Sequence, residues 1–182
     1  MFGKYLELLI KWGSVYRMIG SIDPEWIVEN LFLDSLLFLG VLPMEARSIL
    51  DFGAGAGLPG IPIAIVRPSG EMALLEAKRR RATFLSTTIR ELGLSGARVL
   101  SGRAEDLVQE LGGAFDAVVM RCAGRFDEVL PLAARFIRAG GIVVASGPEK
   151  PGSLRAGEWR TVPAVREGSL RRFAVLQKSS GP

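Results

Sequence analysis

From residue 48 onward, short apolar runs alternate with amphipathic segments, and this alternation constrains the fold more than any other feature. The runs 48–52, 71–76, 97–101, 115–120 and 141–146 have the length of strands. Between them, 59–67, 79–93, 105–111 and 126–139 read as helices. In 79–93, Ala82, Leu85, Ile89 and Leu92 keep helical spacing while the charges fall mainly elsewhere. Strand–helix alternation of this kind predicts a parallel sheet covered by helices on both faces. After Gly147 the helical signal stops. A loop at 147–157 containing Gly and Pro leads into two strand-like pieces, 159–165 and 169–177, expected to close the sheet as a hairpin. Before the alternation, residues 4–19 fit a helix with Tyr5, Leu8, Leu9, Trp12, Tyr16 and Ile19 on one face. Gly20 and Ser21 break it. Asp23 then reads as an N-cap, Pro24 as the first helical position and Glu25 as a favourable first-turn charge. The helix that follows is expected to bury Ile27, Leu31, Leu36 and Leu39 and to end at Gly40. The expected organisation is one α/β domain over residues 1–182: N-terminal helices in 1–45, a core in 46–147 and a hairpin in 148–182.

Composition narrows the chemistry. The chain has no histidine, which removes Ser-His-Asp and Cys-His nucleophile systems, imidazole metal sites and histidine bases together. Its one cysteine, Cys122, allows neither an intrachain disulfide nor a multi-cysteine zinc site, so it is expected to be structural and no metal is expected. Charge is uneven: residues 1–77 hold 5 basic and 9 acidic residues, and residues 78–182 hold 18 and 10. Arginine outnumbers lysine 18 to 5, and its forked guanidinium suits bidentate phosphate contacts. A basic second half suits a polyanionic partner, nucleic acid first, or a merely soluble arginine-rich surface. The longest uncharged run, Phe52–Val66, is too short and too rich in Gly and Pro to span a bilayer, and the N-terminus carries no signal-peptide pattern. A cytoplasmic protein is expected.

The most informative segment is Asp51-Phe-Gly53-Ala-Gly55-Ala-Gly57-Leu58-Pro-Gly60, a strand running into three alternating glycines and then a helix. Glycines permit positive φ and let a ligand approach the backbone closely. A P-loop is excluded because no Gly-Lys-Ser/Thr follows. The spacing Gly55-x-Gly57-x-x-Gly60 formally matches a dinucleotide fingerprint, with Glu76 downstream. Asp51 favours a different ligand. A carboxylate has no obvious use beside a pyrophosphate, whereas the methionine moiety of S-adenosylmethionine (SAM) carries an ammonium group. Glu76, closing the next strand, suits the ribose hydroxyls.

The run Asp51-Phe-Gly-Ala-Gly-Ala-Gly-Leu-Pro-Gly-Ile-Pro62 closely resembles the loop of the bacterial 16S rRNA guanine-N7 methyltransferase G family, also called glucose-inhibited division protein B. Trp12, Phe32-Leu33-Asp34-Ser35-Leu36, Leu74-Leu75-Glu76, Gly102-Arg103-Ala104-Glu105-Asp106 and Phe115-Asp-Ala-Val-Val119 with Arg121 follow the family's order. The resemblance implies a Rossmann-like SAM-dependent methyltransferase fold of about seven strands with an N-terminal helical cap. It implies SAM as cofactor, a partner in 16S rRNA or the small ribosomal subunit, and a monomer. Gly53 and Leu58 would line the methionine side, Glu76 the ribose, Ala104 and Glu105 the adenine edge, and Arg121 the mouth of the site. The chain departs from the family where Leu31 replaces a His, Gly13 an Asn and Ser146 a Lys. A non-catalytic SAM- or RNA-binding relative, or an enzyme for another RNA, is therefore the alternative.

Guanine N7 offers a lone pair and carries no proton, so its methylation needs placement and no general base. Positive charge moves onto the guanine, which a nearby carboxylate would stabilise. Asp34 is the candidate, or else a helix-surface charge. Arg103 and Arg121 each follow a predicted strand, where parallel sheets form their ligand crevice. The run Lys78-Arg79-Arg80-Arg81 opens a helix, where cations oppose the helix dipole, which mildly supports contact with an RNA backbone. Arg155, Arg160, Arg166, Arg171 and Arg172 are expected to form a second basic face. Trp12 and Trp26 read as core residues rather than base-stacking platforms.

Overall fold

The computed structural model describes residues 1–121 and 126–179; Cys122 lies outside them. Seven strands form one sheet: β1 (Ser48–Phe52), β2 (Glu71–Glu76), β3 (Ala97–Ser101), β4 (Phe115–Met120), β5 (Ile137–Ser146), β6 (Glu158–Pro163) and β7 (Leu170–Gln177). Their order is β3-β2-β1-β4-β5-β7-β6. The first five strands run parallel, and the hairpin adds β7 antiparallel to β5, with β6 outermost. The order reverses between β1 and β4, so the carboxyl ends of these strands open the crevice where such sheets bind ligands.

Side chains alternate through the sheet into two apolar layers. Ile49, Leu74, Ile142 and Val144 face one layer with α1 (Phe2–Tyr16), α4 (Gly60–Val66) and α5 (Arg79–Leu92). Leu50, Leu75, Val143 and Ala145 face the other, with α6 (Ala104–Leu111) and α7 (Phe126–Ala134). The inner strands are buried on both faces, as a parallel sheet requires.

Several boundaries differ from expectation. The first helix stops at Tyr16 because Arg17 adopts a left-handed conformation (φ 48°), and Ile19 folds back against Gly13 instead of extending the stripe. Asp23 caps as expected, its Oδ1 accepting from Trp26 N at 2.7 Å. The run it opens is irregular: α2 (Pro24–Ile27), a π-helical stretch over Val28–Leu33, α3 (Asp34–Leu36) and a 3₁₀ turn. The wider stretch rotates the later positions, so Ser35 and Phe38 are buried where Leu36 and Leu39 were expected. The segment 126–139 splits. The helix ends at Ala134 and β5 begins at Ile137, with Gly140 at φ 76° and a register shift against β4. A Cβ at Gly141 would lie 2.9 Å from Asp116 O, so only glycine passes there. Among the described residues, no helix is long and apolar enough to cross a membrane.

Asp116 fastens the amino-terminal edge of the sheet. Its Oδ2 accepts from Arg47 N (2.7 Å) and Ser48 N (3.0 Å), and its Oδ1 from Arg138 Nε (2.6 Å). Burial opposes its charge, but the Ser48 and Arg47 N–H groups and the Arg138 guanidinium outweigh that and hold its pKa below the usual carboxylate value. A depressed folded-state pKa stabilises the fold above the unfolded pKa and is lost as pH falls through the folded one. Asp116→Ala should lower stability at pH 7 by about 1.5–3 kcal/mol, the range for hydrogen bonds to a charged group. Denaturant titrations from pH 7 down to 3 should show a shallower acid loss in the variant than in the wild type.

Candidate functional site

The loop between β1 and α4 is held by two carboxylates that end neighbouring strands. Asp51 is fully buried, and its Oδ2 accepts from Gly60 N at 2.8 Å. The first N–H of α4 is therefore taken by the protein itself. Glu76 is also buried. Its Oε2 accepts from Gly55 N at 3.0 Å and its Oε1 from Lys78 N at 2.7 Å, with Arg81 Nη1 3.9 Å away. From above the core, Tyr5 on α1 donates its hydroxyl to Ala56 O at 2.7 Å.

The glycines divide into two kinds. Gly53 (φ 72°) and Gly55 (φ 59°) face open space at the carboxyl edge of β1: a Cβ at Gly53 would meet nothing within 4 Å, and one at Gly55 nothing closer than 3.7 Å. Gly57 (φ 88°) is buried, and a Cβ there would lie 2.4 Å from Ile61 Cδ1. At Gly60 it would lie 2.5 Å from Leu74 Cδ2 and 2.6 Å from Asp51 Oδ2. The open pair lets a ligand lie on the backbone, and the buried pair lets the loop fold. Leu58 is buried beside Gly57.

Arg121 follows β4 and meets Asp34 from the N-terminal helices, Nη2 to Oδ2 at 3.3 Å, while also donating to Asn30 O at 3.2 Å. Arg171 on β7 holds the other oxygen of Asp34, Nε to Oδ1 at 2.9 Å, and donates from Nη1 to Gly147 O at 2.8 Å. One carboxylate thus lies between two guanidiniums from distant segments. Nη1 of Arg121 and Oδ1 of Asp51 are buried without hydrogen-bond partners. Burial lowers the pKa of Arg121, with the charge of Asp34 countering and that of Arg171 adding to the effect. Burial pushes Asp51 up to about 7, although the Gly60 N–H and Arg121 pull it down.

The remaining expected residues are spread along the same edge. Arg103 and Glu105 are exposed at the start of α6, with Ala104 buried between them. Lys78, Arg79 and Arg80 are exposed, and the Arg80 guanidinium stacks 4.8 Å over the Tyr16 ring. Trp12 packs on the core against Phe84, but Trp26 is 37% exposed, contrary to expectation. Its position in the first turn of α2 turns it outward. Leu31 and Ser146, two departures from the family pattern, are both buried. Tyr5 and Arg171 were not foreseen as site residues. Tyr5 sits inside an apolar stripe, and the partner of Arg171 lies 137 positions away.

This strand order, with an acid before the glycine loop and a second acid closing β2, defines the Rossmann-like methyltransferase class. Solved structures agree on the fold. A SAM-dependent methyltransferase from Aquifex aeolicus matches with TM-score 0.61 at 15% identity, over 85% of this chain and 93% of that one. The [4+2]-cyclase SpnF matches with TM-score 0.62 at 14% identity, over 81% and 80%. The family model described as rRNA small subunit methyltransferase G matches residues 1–153, and the chain belongs to that family. Ribosomal RNA small subunit methyltransferase G of Sorangium cellulosum is 36% identical over 161 residues, 86% of this chain and 67% of that protein. The enzyme of the same name from Streptococcus thermophilus is 34% identical over 148 residues, 79% and 62%. The chain thus spans about two thirds of the length of these relatives.

The two kinds of glycine should separate experimentally. Gly57→Ala should destabilise the fold by about 2–4 kcal/mol, combining left-handed strain with overpacking against Ile61. Gly53→Ala should cost only the strain, about 1–2 kcal/mol, yet weaken S-adenosylhomocysteine binding at least tenfold; melts and calorimetry on both variants check this. Asp51 gives a second expectation. Its folded pKa lies above its unfolded value, so between about pH 4 and 7 the folded state retains a proton that the unfolded chain has released. Its contribution to stability must therefore fall as pH rises through that window. Asp51→Asn should remove this slope, as read by denaturant titrations at pH 5 and pH 7.

Proposed function

We propose that the chain binds SAM across the carboxyl ends of β1, β2 and β3 and methylates guanine N7 in 16S rRNA, acting on the small ribosomal subunit as a cytoplasmic monomer. The observation that carries this reading is the juxtaposition of the open Gly53–Gly55 backbone and Glu76 with the Asp34–Arg121 pair in a chain of this family. The donor set fits the cofactor. Gly53 and Gly55 leave room for it, Glu76 retains acceptor capacity for ribose hydroxyls, and Ala104 and Glu105 open α6 where the adenine edge would lie. Asp51 and Leu58 support the loop from beneath.

The bound cofactor supplies a methyl group on a positively charged sulfur. The protein's part is placement, because N7 carries no proton and no base is required. Arg121, fixed by Asp34 and Asn30 O, offers a planar donor group for guanine O6 or a phosphate. Asp34 offsets the positive charge gathered by the purine, but only partly, since two guanidiniums already share it. Arg103 borders the crevice from β3 and suits a backbone phosphate.

The test is methyl transfer to small-subunit particles lacking the modification, alongside calorimetry with S-adenosylhomocysteine and NAD. The wild type should bind the first, ignore the second and transfer methyl. Arg121→Lys keeps the charge but loses the fork, so transfer should slow roughly 10- to 100-fold, as for one good bidentate contact. SAM affinity should fall less. Normal binding with no transfer by the wild type would point to Leu31 and Ser146 and to a non-catalytic relative.

A further inference from the structure

A second cavity adjoins this crevice. It has a volume of about 470 Å³ and lies between the helical run that begins at Pro24 and the β6–β7 hairpin. Its walls include Trp26, Asn30, Asp34, Arg121, Arg166 and Arg171. The volume lies within the roughly 300–1,000 Å³ of sites that enclose a small ligand or one residue of a larger one.

Its chemistry is selective. Three carboxylates, Glu29, Asp34 and Glu149, and four guanidiniums, Arg121, Arg166, Arg171 and Arg172, line it, so its described walls keep one net positive charge. Arg166 extends the positive side and makes no ion pair among the described residues. Trp26 also lines the cavity and is 37% exposed, on a backbone held in place: its main-chain N–H donates to Asp23 Oδ1 and its carbonyl accepts from Asn30 Nδ2 at 3.0 Å. An accessible aromatic side chain and guanidinium groups lining one cavity are what an unstacked base and its phosphate require, and such pairings are how proteins hold single-stranded RNA. Because Arg121 lines both the cavity and the crevice, an occupant here lies next to the place of methyl transfer.

We infer that this cavity receives an unpaired nucleotide of the substrate RNA, with the base against Trp26 and its phosphate toward Arg166 and Arg171. The inference rests on the RNA methyltransferase reading and adds a docking site built jointly by the N-terminal helices and the C-terminal hairpin. No covalent step occurs in it. Its role is to bring the nucleotide into register with Arg121.

The probe is a short single-stranded RNA containing guanosine, titrated onto the full chain with S-adenosylhomocysteine present. Trp26→Ala should weaken RNA binding roughly 5- to 100-fold, the range for loss of one base–aromatic stack. Trp26→Phe, which keeps a ring, should recover most of it. Arg166→Ala should lower the slope of log K against log salt by about 0.7, as for one lost phosphate contact on a single strand. S-adenosylhomocysteine affinity should be unchanged in all three, which reports that each is folded. Wild-type RNA binding that neither Trp26→Ala nor Arg166→Ala alters would overturn the cavity assignment and leave the methyltransferase reading intact. A wild type that binds S-adenosylhomocysteine but no RNA would overturn the RNA reading itself, and this inference with it.

Discussion

Everything at the carboxyl edge of the sheet depends on two carboxylates that accept backbone N–H groups from beneath the glycine loop. The β1–β2 register pairs Asp51 with Leu74, so Asp51 and Glu76, two residues beyond Leu74, project from the same face. Asp51 fixes the end of the loop at Gly60, and Glu76 fixes its middle at Gly55. A buried carboxylate is costly unless hydrogen-bonded. Asp51 is only half satisfied, with one oxygen latched and the other unpartnered, and its raised pKa is the measure of that cost. The loop conformation is maintained at the expense of stability, a common arrangement where a site must be held ready for a ligand.

The N-terminal helices take part in the site as well as covering the sheet. Tyr5 joins α1 to the loop through the Ala56 carbonyl, and Asp34 joins the second helical run to both β4 and β7. Deleting one partner of such a contact leaves the others buried and unpaired, which costs more than the contact itself contributes. The π-helical stretch before Asp34 belongs to the same arrangement. It turns Phe32 and Ser35 into the core while leaving Asp34 partly buried beside Arg121.

The strands were readable in the sequence because inner parallel strands are apolar on both faces and bounded by turn residues, and six of the seven begin within a residue of expectation. The exception, β5, begins inside what looked like helix. The helix has already ended at Ala134, and Gly141 within β5 is needed because a side chain there would meet Asp116 O of the neighbouring strand. The glycine loop and Glu76 were readable because their spacing is local. Arg171 was not, since nothing near it in the chain predicts Asp34, and Trp26 was misjudged because the register of its helix was not legible. Nothing in an apolar helical stripe shows that the hydroxyl of Tyr5 is needed.

The fold alone does not choose the reaction, since a cyclase shares this architecture as closely as a methyltransferase does. The chemistry must then lie in side chains at the site, and segments from the N-terminal helices, β4 and β7 converge on Asp34. Arginine on both sides of that carboxylate has a consequence lysine would not have. Each guanidinium meets both Asp34 and a main-chain carbonyl: Arg121 reaches Asp34 and Asn30 O through Nη2, and Arg171 holds Asp34 with Nε and Nη2 while Nη1 reaches Gly147 O. A lysine ammonium could satisfy the charge but lacks the guanidinium's fixed fork of donors. The helices before the sheet and the β6–β7 hairpin at its edge are thereby joined to the end of β4 through Asp34. That junction is what allows two segments outside the cofactor loop to present one surface to a substrate.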